Sequence, residues 1–318
     1  MSMKSLVETY NALDKIDLRI LRVMEVAHSK YIYIPYKLIV NRIRFNEKII
    51  SKSLMKLNKL KLIQRARGPY EGYRLNFRSY DILAIHTLRK SNKIVSISPT
   101  PIGVGKESEV YVGETPSGLK AAVKLHRSGT SSFIHVKRLR SFLRDRRHLT
   151  KLYEARLAAH AEYTALSEVF DAGGHVPEPL AVNRHAVVMR YINGVELYRV
   201  ELADLGAVAS QVEETIEAAL ERGIVHGDLT PYNILVGAEG TSYIIDWPQW
   251  IPIHHPNSDK ILYRDLITLN NFFKKYNIEI NIEKFINLIY KYRKELGKER
   301  LKALEASVYN STLSARRE

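Results

Sequence analysis

The spacing of apolar residues near the N-terminus predicts three short helices followed by a two-stranded hairpin. Ile16, Ile20 and Val23 recur at helical spacing, a second helix is predicted over residues 36–43, and a third begins near Asn46. The segment KLIQRARGPYEGYRLNF then predicts two strands around a turn that contains glycine and proline. This order of elements is typical of a winged-helix domain, which we assign to residues 1–80.

The third predicted helix combines an apolar face with a cationic one. Ile50, Leu54 and Leu57 recur on one side of it. Lysines recur on another side and arginines follow in the hairpin, which together give the candidate nucleic-acid contacts Lys48, Lys52, Lys56, Lys59, Arg65, Arg67 and Arg74. Flexible cations suit backbone phosphates, and no Arg–Asn pair is arranged for base edges, so the pattern favours backbone over sequence recognition. A lysine face that only contacts solvent is the alternative.

The pattern after the hairpin predicts a helix and then a larger domain of mixed helices and strands. Residues 81–96 are interpreted as a linker helix, residues 97–190 as a first lobe with a basic, flexible insert at 126–150, and residues 191–318 as a second lobe. Strands are predicted at Ser108–Val112 and Lys120–Leu125, and a long helix is predicted near Asp204–Arg222. The fold class is therefore α+β.

Charge and composition change this picture in one important respect. The 318-residue chain has a net charge of +15, and residues 1–90 hold 19 Lys and Arg against 7 Asp and Glu. A polyanion such as RNA is the natural partner of such a domain. The chain has no cysteine, which excludes disulfides and fits a cytoplasmic protein. It also has no apolar run of about 18 residues and no signal-peptide pattern, so we expect neither a membrane span nor export.

A glycine-containing loop precedes a lysine that lies in an apolar strand. Such a loop can lay backbone N–H groups over phosphates, although this one fits neither a Walker A loop nor a complete G-x-G-x-x-G motif. Lys124 in AAVKL resembles the protein-kinase lysine that contacts the α and β phosphates. A plain hairpin is the alternative. The candidate nucleotide-binding residues here are Gly103, Val104, Gly105, Lys106, Glu107, Ser108, Val110 and Lys124.

One carboxylate interrupts the apolar stripe of the helix predicted around residues 151–170. The stripe, with steps of three and four residues, consists of Leu152, Ala155, Ala159, Glu162, Leu166 and Val169. A carboxylate that faces a core needs a partner, and Lys124 is the partner that the sequence offers to Glu162. The alternative places Glu162 at the edge of the stripe, in solvent.

Three polar residues follow short apolar strands in HGDLTPYNIL and TSYIIDWPQW. Phosphoryl transfer needs a proton acceptor beside the attacking oxygen and oxygen ligands for Mg²⁺ or Mn²⁺. Asp228 is the candidate catalytic residue, and Asn233 and Asp246 are the candidate metal ligands. The connection between the two lobes is predicted to bind adenine through Met189, Tyr191 and Ile192.

Taken together, the segments GVGKESEVY, AAVKL, EARLAAHAEY, HGDLTPYNILV and IIDWPQ resemble the RIO atypical protein kinases. The predicted winged helix points to the second, winged-helix subfamily. The resemblance implies a two-lobed kinase-like domain that binds ATP and a divalent metal, with Lys124 and Glu162 as a phosphate-positioning pair and Asp228 as the catalytic residue. It also implies kinase or ATPase activity in maturation of the small ribosomal subunit, with the subunit precursor and its rRNA as partners, and Asp246 as a candidate phosphoacceptor.

Two other functions stay open at the level of sequence. Aminoglycoside and choline kinases share H-G-D-L and I-D-W segments, so a small-molecule phosphotransferase is one alternative. A ribosome assembly factor whose nucleotide pocket serves only as a conformational switch is the other. The chain lacks A-P-E and a long loop after Asp246, which predicts no broad phosphorylation of peptides. We expect a monomer.

Overall fold

The computed structural model describes residues 5–68, 70–127, 151–201 and 205–314. Most of the basic insert predicted at 126–150 therefore lies outside the described residues. No helix in the described ranges combines the length and apolar character that crossing a membrane requires.

The N-terminal elements form the winged helix that the apolar pattern predicts. Its three short strands pair antiparallel in the order β1-β3-β2. The first helix and the first strand were not predicted, because each is too short to show a period. The elements are α1 (Leu6–Asn11), α2 (Lys15–Ala27), β1 (Ile34–Pro35), α3 (Tyr36–Ile43), α4 (Glu47–Lys59), β2 (Ile63–Arg67), β3 (Glu71–Leu75) and α5 (Phe77–Lys90).

A mixed-length antiparallel sheet and one long helix make the first lobe. The sheet order is β4-β6-β7-β9-β8, and β5 pairs with the free edge of β6 near its start. The long helix packs against the sheet and carries Glu162 on its buried side. The elements are β4 (Ser96–Ile97), β5 (Gly103–Val104), β6 (Ser108–Glu114), β7 (Lys120–His126), α6 (Lys151–Asp171), β8 (Pro179–Asn183) and β9 (Ala186–Arg190).

Helices and two small antiparallel sheets make the second lobe. The sheets are β10-β12-β13 and β11-β14, and their connecting loops carry the polar residues of HGDLTPYNIL and IIDWPQ. Short 3₁₀ turns occupy Leu197–Arg199, Pro231–Asn233 and Lys274–Tyr276. The other elements are β10 (Gly194–Glu196), α7 (Gly206–Glu221), β11 (Ile224–Val225), β12 (Ile234–Gly237), β13 (Ser242–Ile244), β14 (Ile251–Pro252), α8 (Ser258–Phe273), α9 (Ile282–Glu295) and α10 (Lys298–Ser314).

The winged helix and the sheet of the first lobe share a single hydrophobic core. Leu83 of α5 belongs to the same buried cluster as Val123 of β7 and Val188 of β9. Most of α5, which covers much of the segment interpreted as a linker, is buried. A second cluster joins the C-terminal half of α6 to the second lobe and contains both tryptophans, Trp247 and Trp250.

Candidate active site

Lys124 lies between two carboxylates that come from different lobes. Its Nζ donates to Glu162 Oε1 at 2.6 Å and to Asp246 Oδ1 at 2.7 Å. Strand β7 holds the lysine, α6 holds Glu162, and the loop after β13 holds Asp246. Glu162 is only 1% exposed, so the prediction that it faces the core is confirmed and the solvent-edge alternative is wrong.

The charges of this cluster stabilise one another. Burial alone would lower the pKa of Lys124, but the carboxylates of Asp246 and Glu162 raise it well above its usual range. Burial alone would raise the pKa of Glu162, but Lys124 and His126 hold it at about 2. The pair is therefore ionised at neutral pH, as a lysine that contacts phosphates must be.

His126 also belongs to this cluster, although no motif in the sequence marks it. Its Nε2 lies 2.6 Å from the second carboxylate oxygen of Glu162, and the residue is 2% exposed. A usable signal was present, because Lys124 and His126 are two positions apart in a strand and so point to the same side of the sheet.

The loop around Asp228 is fixed by a buried histidine and a glycine. Gly227 has φ +87°, and a Cβ there would lie 2.5 Å from the carbonyl oxygen of Gln249, so only glycine fits. The Nδ1 of His226 accepts from the Asp228 N–H at 3.2 Å, which leaves its Nε2 to donate to the carbonyl oxygen of Ile245 at 3.1 Å. His226 thereby joins the loop that holds Asp228 to the loop that holds Asp246.

The carboxyl group of Asp228 opens toward solvent and is not a partner of Lys124. Partial desolvation raises the pKa of Asp228, and the negative charges of Asp246 and Asp265 raise it further. His226 lowers the pKa, but by less than the other effects raise it. A carboxylate whose pKa is raised is a better proton acceptor than an ordinary aspartate. This environment suits the catalytic role predicted for Asp228.

Asn233 and Asp246 lie side by side and present oxygen atoms. The Ile245 N–H donates to the carbonyl oxygen of Asn233 at 2.9 Å, which brings the two segments together. The Nδ2 of Asn233 donates to the carbonyl oxygen of Asp228 at 2.8 Å, so its amide oxygen is the end left for a ligand. Asp246 adopts φ +66°, and its side chain is 43% exposed. These are the oxygen donors that Mg²⁺ prefers.

A metal here would also depend on oxygens from the nucleotide. Within the described ranges, no group of three or more His, Cys, Asp or Glu side chains is arranged to hold a metal ion. Asn233 and Asp246 would supply two oxygen ligands, and phosphates and water would supply the others, as is usual for Mg²⁺ at phosphoryl-transfer sites. The residues present therefore fit a metal that arrives with its nucleotide.

The glycine-containing loop forms a short hairpin between β5 and the start of β6. Gly105 N–H donates to the carbonyl oxygen of Ser108 at 2.8 Å, and β5 pairs with β6 through Gly103 and Val110. A Cβ at Gly103 or Gly105 would meet nothing closer than 3.6 Å, so the fold itself does not require glycine there. The absence of side chains is instead what a closely approaching ligand would require.

The remaining predicted nucleotide-binding residues flank the loop and the lobe connection. Lys106 is exposed at the tip of the hairpin, with Val104 and Glu107 beside it. Met189 is buried at the end of β9, and Tyr191 and Ile192 lie partly exposed between β9 and β10. The Tyr191 N–H already donates to the carbonyl oxygen of Lys120 at 3.1 Å.

The predicted nucleic-acid surface on α4 is formed by three of its four lysines. Lys48, Lys52 and Lys59 are exposed, and within the described ranges none of them is in an ion pair. Lys56 instead contacts Asp17, a carboxylate of α2 that is completely buried. Lys56 therefore compensates a buried charge of the winged helix.

The hairpin contributes less positive charge than its sequence suggests. Arg65 forms an ion pair with Glu71 at 2.8 Å across the two strands. Arg74 is partly exposed, and the side chain of Arg67 lies outside the described part of the structure.

Comparison with known proteins agrees with this architecture. A model of the RIO domain matches residues 109–285, and a model of the N-terminal domain of Rio2 matches residues 10–91. The RIO-type serine/threonine-protein kinase Rio2 of Methanocaldococcus jannaschii is 36% identical over 267 residues, which cover 82% of this chain and 97% of that protein. The serine/threonine-protein kinase rio2 of Schizosaccharomyces pombe is 33% identical over 301 residues, which cover 94% of this chain and 86% of the relative.

A solved structure is similar over nearly the whole chain. The Rio2 kinase of Chaetomium thermophilum, in an ADP/Mg²⁺-phosphoaspartate complex, is 26% identical with a TM-score of 0.75 and covers 97% of this chain and 99% of that one. The predicted fold class, a winged helix followed by a two-lobed kinase-like domain, is confirmed. The chain belongs to the RIO family of atypical serine/threonine protein kinases, in the branch that carries the Rio2 N-terminal domain.

Proposed function

We propose that this chain binds ATP with a divalent metal, transfers the γ-phosphoryl group to Asp246, and acts in maturation of the small ribosomal subunit. The observation that carries the chemical part is the position of Lys124, which contacts Glu162 and Asp246 at 2.6 and 2.7 Å. The ammonium of Lys124 thereby contacts both Glu162, its partner in the predicted nucleotide-positioning pair, and Asp246, the predicted phosphoacceptor. The ADP/Mg²⁺-phosphoaspartate complex of the Chaetomium relative supports the same chemistry.

The first step moves the phosphoryl group to protein. A carboxylate oxygen of Asp246 attacks the γ-phosphorus, the bond to the β–γ bridging oxygen breaks, and ADP leaves with the electron pair. The product is an acyl phosphate on Asp246. No proton has to be removed from the nucleophile, because Asp246 is a carboxylate in an ion pair with Lys124. Asn233 and Asp246 would hold the metal, which neutralises phosphate charge.

The second step removes the phosphoryl group and restores the carboxylate of Asp246. A water molecule or an acceptor hydroxyl attacks the phosphorus, its proton passes to Asp228, and the bond to the Asp246 oxygen breaks to restore the carboxylate. Asp228 suits this role because it is exposed at the cleft and its pKa is raised. Phosphate, or a phosphorylated acceptor, is released.

The chemical proposal is tested with γ-labelled ATP. The enzyme is quenched, denatured and treated with hydroxylamine, which cleaves acyl phosphates and spares phosphoserine. We expect hydroxylamine to remove the label from wild type and expect Asp246→Asn to carry none. Label that survives hydroxylamine, or equal labelling of the variant, would assign the phosphate to a serine or threonine and reject Asp246 as the acceptor.

The winged helix supplies the contact with rRNA in this proposal. Three exposed lysines on one face of α4 and a net charge of +12 over residues 1–90 favour the phosphate backbone of a nucleic acid. The small-subunit precursor follows from the resemblance to the winged-helix RIO kinases. The match of residues 10–91 to the N-terminal domain of Rio2 supports the subfamily on which this part of the proposal depends.

The rRNA contact is tested by charge removal with a matched control. We expect the triple variant Lys48→Gln, Lys52→Gln and Lys59→Gln to bind rRNA more weakly and to reduce the slope of log affinity against log salt by roughly 2 to 3, because about one counterion is released per neutralised phosphate. The control replaces three exposed lysines of the second lobe, namely Lys260, Lys275 and Lys294. Equal slopes in the two variants would mean that the α4 face only contacts solvent.

A further inference from the structure

We propose that His126 is a positioning residue that holds Glu162 in register with Lys124 for phosphoryl transfer. The inference rests on the proposed function, because it assigns to His126 an effect on nucleotide turnover. His126 would not contact the nucleotide and would act only through Glu162.

The two oxygens of Glu162 have one partner each. Lys124 Nζ occupies Oε1 at 2.6 Å, and His126 Nε2 occupies Oε2 at 2.6 Å. An ionised carboxylate can only accept, so the hydrogen of this contact is on His126 Nε2. All three residues are at least nine-tenths buried. Few other groups can therefore replace either contact.

Lys124 alone is a poor anchor for Glu162. Its ammonium is already shared with Asp246 at 2.7 Å, and bound phosphates would compete for the same three N–H groups. Each new acceptor draws the ammonium away from Glu162, whose carboxylate is buried and has little water to replace that contact. The imidazole is a second donor that does not depend on the nucleotide, and it keeps Glu162 in place while Lys124 turns to the phosphates.

Backbone hydrogen bonds to two neighbouring segments fix the end of β7 that carries the imidazole. The backbone N–H of His126 donates to the carbonyl oxygen of His185 at 2.8 Å. The backbone N–H of the next residue, Arg127, donates to the carbonyl oxygen of Glu107 at 2.7 Å. His126 lies opposite Ser108 in the β6–β7 pair. The side chain thus joins α6 to the end of β7, which pairs with the start of β6 directly after the glycine-containing loop. The loop and the Lys124–Glu162 pair therefore share one support.

Three substitutions at His126 separate positioning from packing. Glutamine places an N–H near the position of the imidazole Nε2, asparagine carries the same amide with a shorter reach, and leucine removes the donor. We expect His126→Gln to retain kcat/KM for ATP within about threefold. We expect His126→Asn and His126→Leu to lose about 10- to 100-fold, the effect of one charge-assisted hydrogen bond. Equal activity of the Gln and Asn variants would overturn the proposal, and thermal unfolding of each variant checks its fold.

A double variant tests whether His126 acts through Glu162. Glu162→Gln defines the loss when the carboxylate charge is absent, and adding His126→Leu should lower kcat/KM by no more than about twofold further. Independent, multiplicative losses would refute a role that passes through Glu162. His86→Leu is a matched control on α5, where a partly buried histidine contacts Tyr10 instead. It should leave kcat/KM unchanged.

Ligand binding separates this inference from the proposed function. Lys124 is expected to contact phosphates, so His126→Leu should weaken ADP–Mg²⁺ binding while leaving adenosine binding unchanged. Equal weakening of both ligands, or of neither, would overturn the proposal. A wild-type chain that binds ADP but transfers no phosphate would refute the proposed function, and the binding comparison would still decide the role of His126.

Discussion

One buried arginine, Arg184, joins the winged helix to the first lobe, and its replacement should lower the free energy of unfolding by a predictable amount. Arg184 lies in the turn between β8 and β9 and is 3% exposed. Its guanidinium forms a two-bond contact with Glu25 of α2, at 2.8 Å for each bond. It also donates to the carbonyl oxygen of Leu83 and to Thr87 of α5. Arg184→Met keeps most of the buried stem and removes these bonds.

The expected loss of stability depends on Glu25, which remains largely buried when Arg184 is replaced. The side chain of Glu25 is 12% exposed, so the variant leaves a carboxylate that is largely desolvated. Removing one partner of a buried ion pair costs about 3–5 kcal/mol. Arg22 still lies 2.7 Å from Glu25 and compensates part of the charge. We therefore expect the free energy of unfolding to fall by about 3 kcal/mol, near the lower end of that range.

Urea unfolding can assign this loss to the correct part of the chain. Both tryptophans, Trp247 and Trp250, belong to the core of the second lobe, so their fluorescence reports that lobe. Far-UV circular dichroism reports all helices, including those of the winged helix. We expect the dichroism transition of Arg184→Met to move to lower urea and the tryptophan transition to move less, because the joint belongs to the other core.

Arg190→Met is the matched control. Arg190 ends β9 and forms a looser pair with Glu178 at 3.5 Å, with side chains 54% and 38% exposed. An exposed pair contributes about 0–1 kcal/mol. If Arg184→Met is no more destabilised than Arg190→Met, the buried joint does not stabilise the winged helix on the lobe. If the double variant Glu25→Leu with Arg184→Met is less stable than Arg184→Met alone, the unpaired charge of Glu25 does not cause the loss of stability.

Three further predictions follow from other parts of the structure. Asp228→Asn should lower turnover about 100- to 10,000-fold and change nucleotide affinity by less than about threefold, as isothermal titration would measure, because a general base acts mainly in the transition state. Lys56→Gln should lower the free energy of unfolding by about 1–3 kcal/mol in a urea titration, because the buried carboxylate of Asp17 loses its ion-pair partner. The control Lys52→Gln should change the free energy of unfolding by less than about 0.5 kcal/mol. Burial lowers the pKa of His28 to about 4 from its usual 6.5, so the unfolded chain takes up the proton first as the pH falls. The free energy of unfolding, measured by urea titration at each pH, should therefore fall from pH 6.5 to 4 by about 3 kcal/mol more in wild type than in His28→Gln.

The sequence predicts best those features that repeat with a local period. The apolar spacing of the winged-helix region identifies α2, α3 and α4, and Tyr36–Ile43 is predicted with its observed bounds. The stripe on α6 correctly places Glu162 toward the core, because five of the six predicted positions are buried. These signals are carried by residues three or four positions apart, so they need no knowledge of distant contacts.

The features that the sequence does not predict depend on distant contacts. Lys56 looks like one of four equivalent lysines, but it lies next to Asp17, which is 39 residues away along the chain. His126 and Glu162 are 36 residues apart. The packing of α5 into a core shared with β7 and β9 is equally hidden, because an apolar helix face does not identify the element that covers it.

Single-turnover labelling of Asp228→Asn with γ-labelled ATP and Mg²⁺ tests the central claim most directly. In the proposed mechanism, formation of the acyl phosphate on Asp246 requires no proton acceptor, whereas its hydrolysis uses Asp228. The variant should therefore accumulate hydroxylamine-sensitive label on the protein, up to about one phosphate per chain, and should lose it far more slowly than wild type during a chase with unlabelled ATP. A variant that binds ATP with normal affinity but never becomes labelled would contradict transfer through Asp246 and would assign Asp228 to direct attack on ATP.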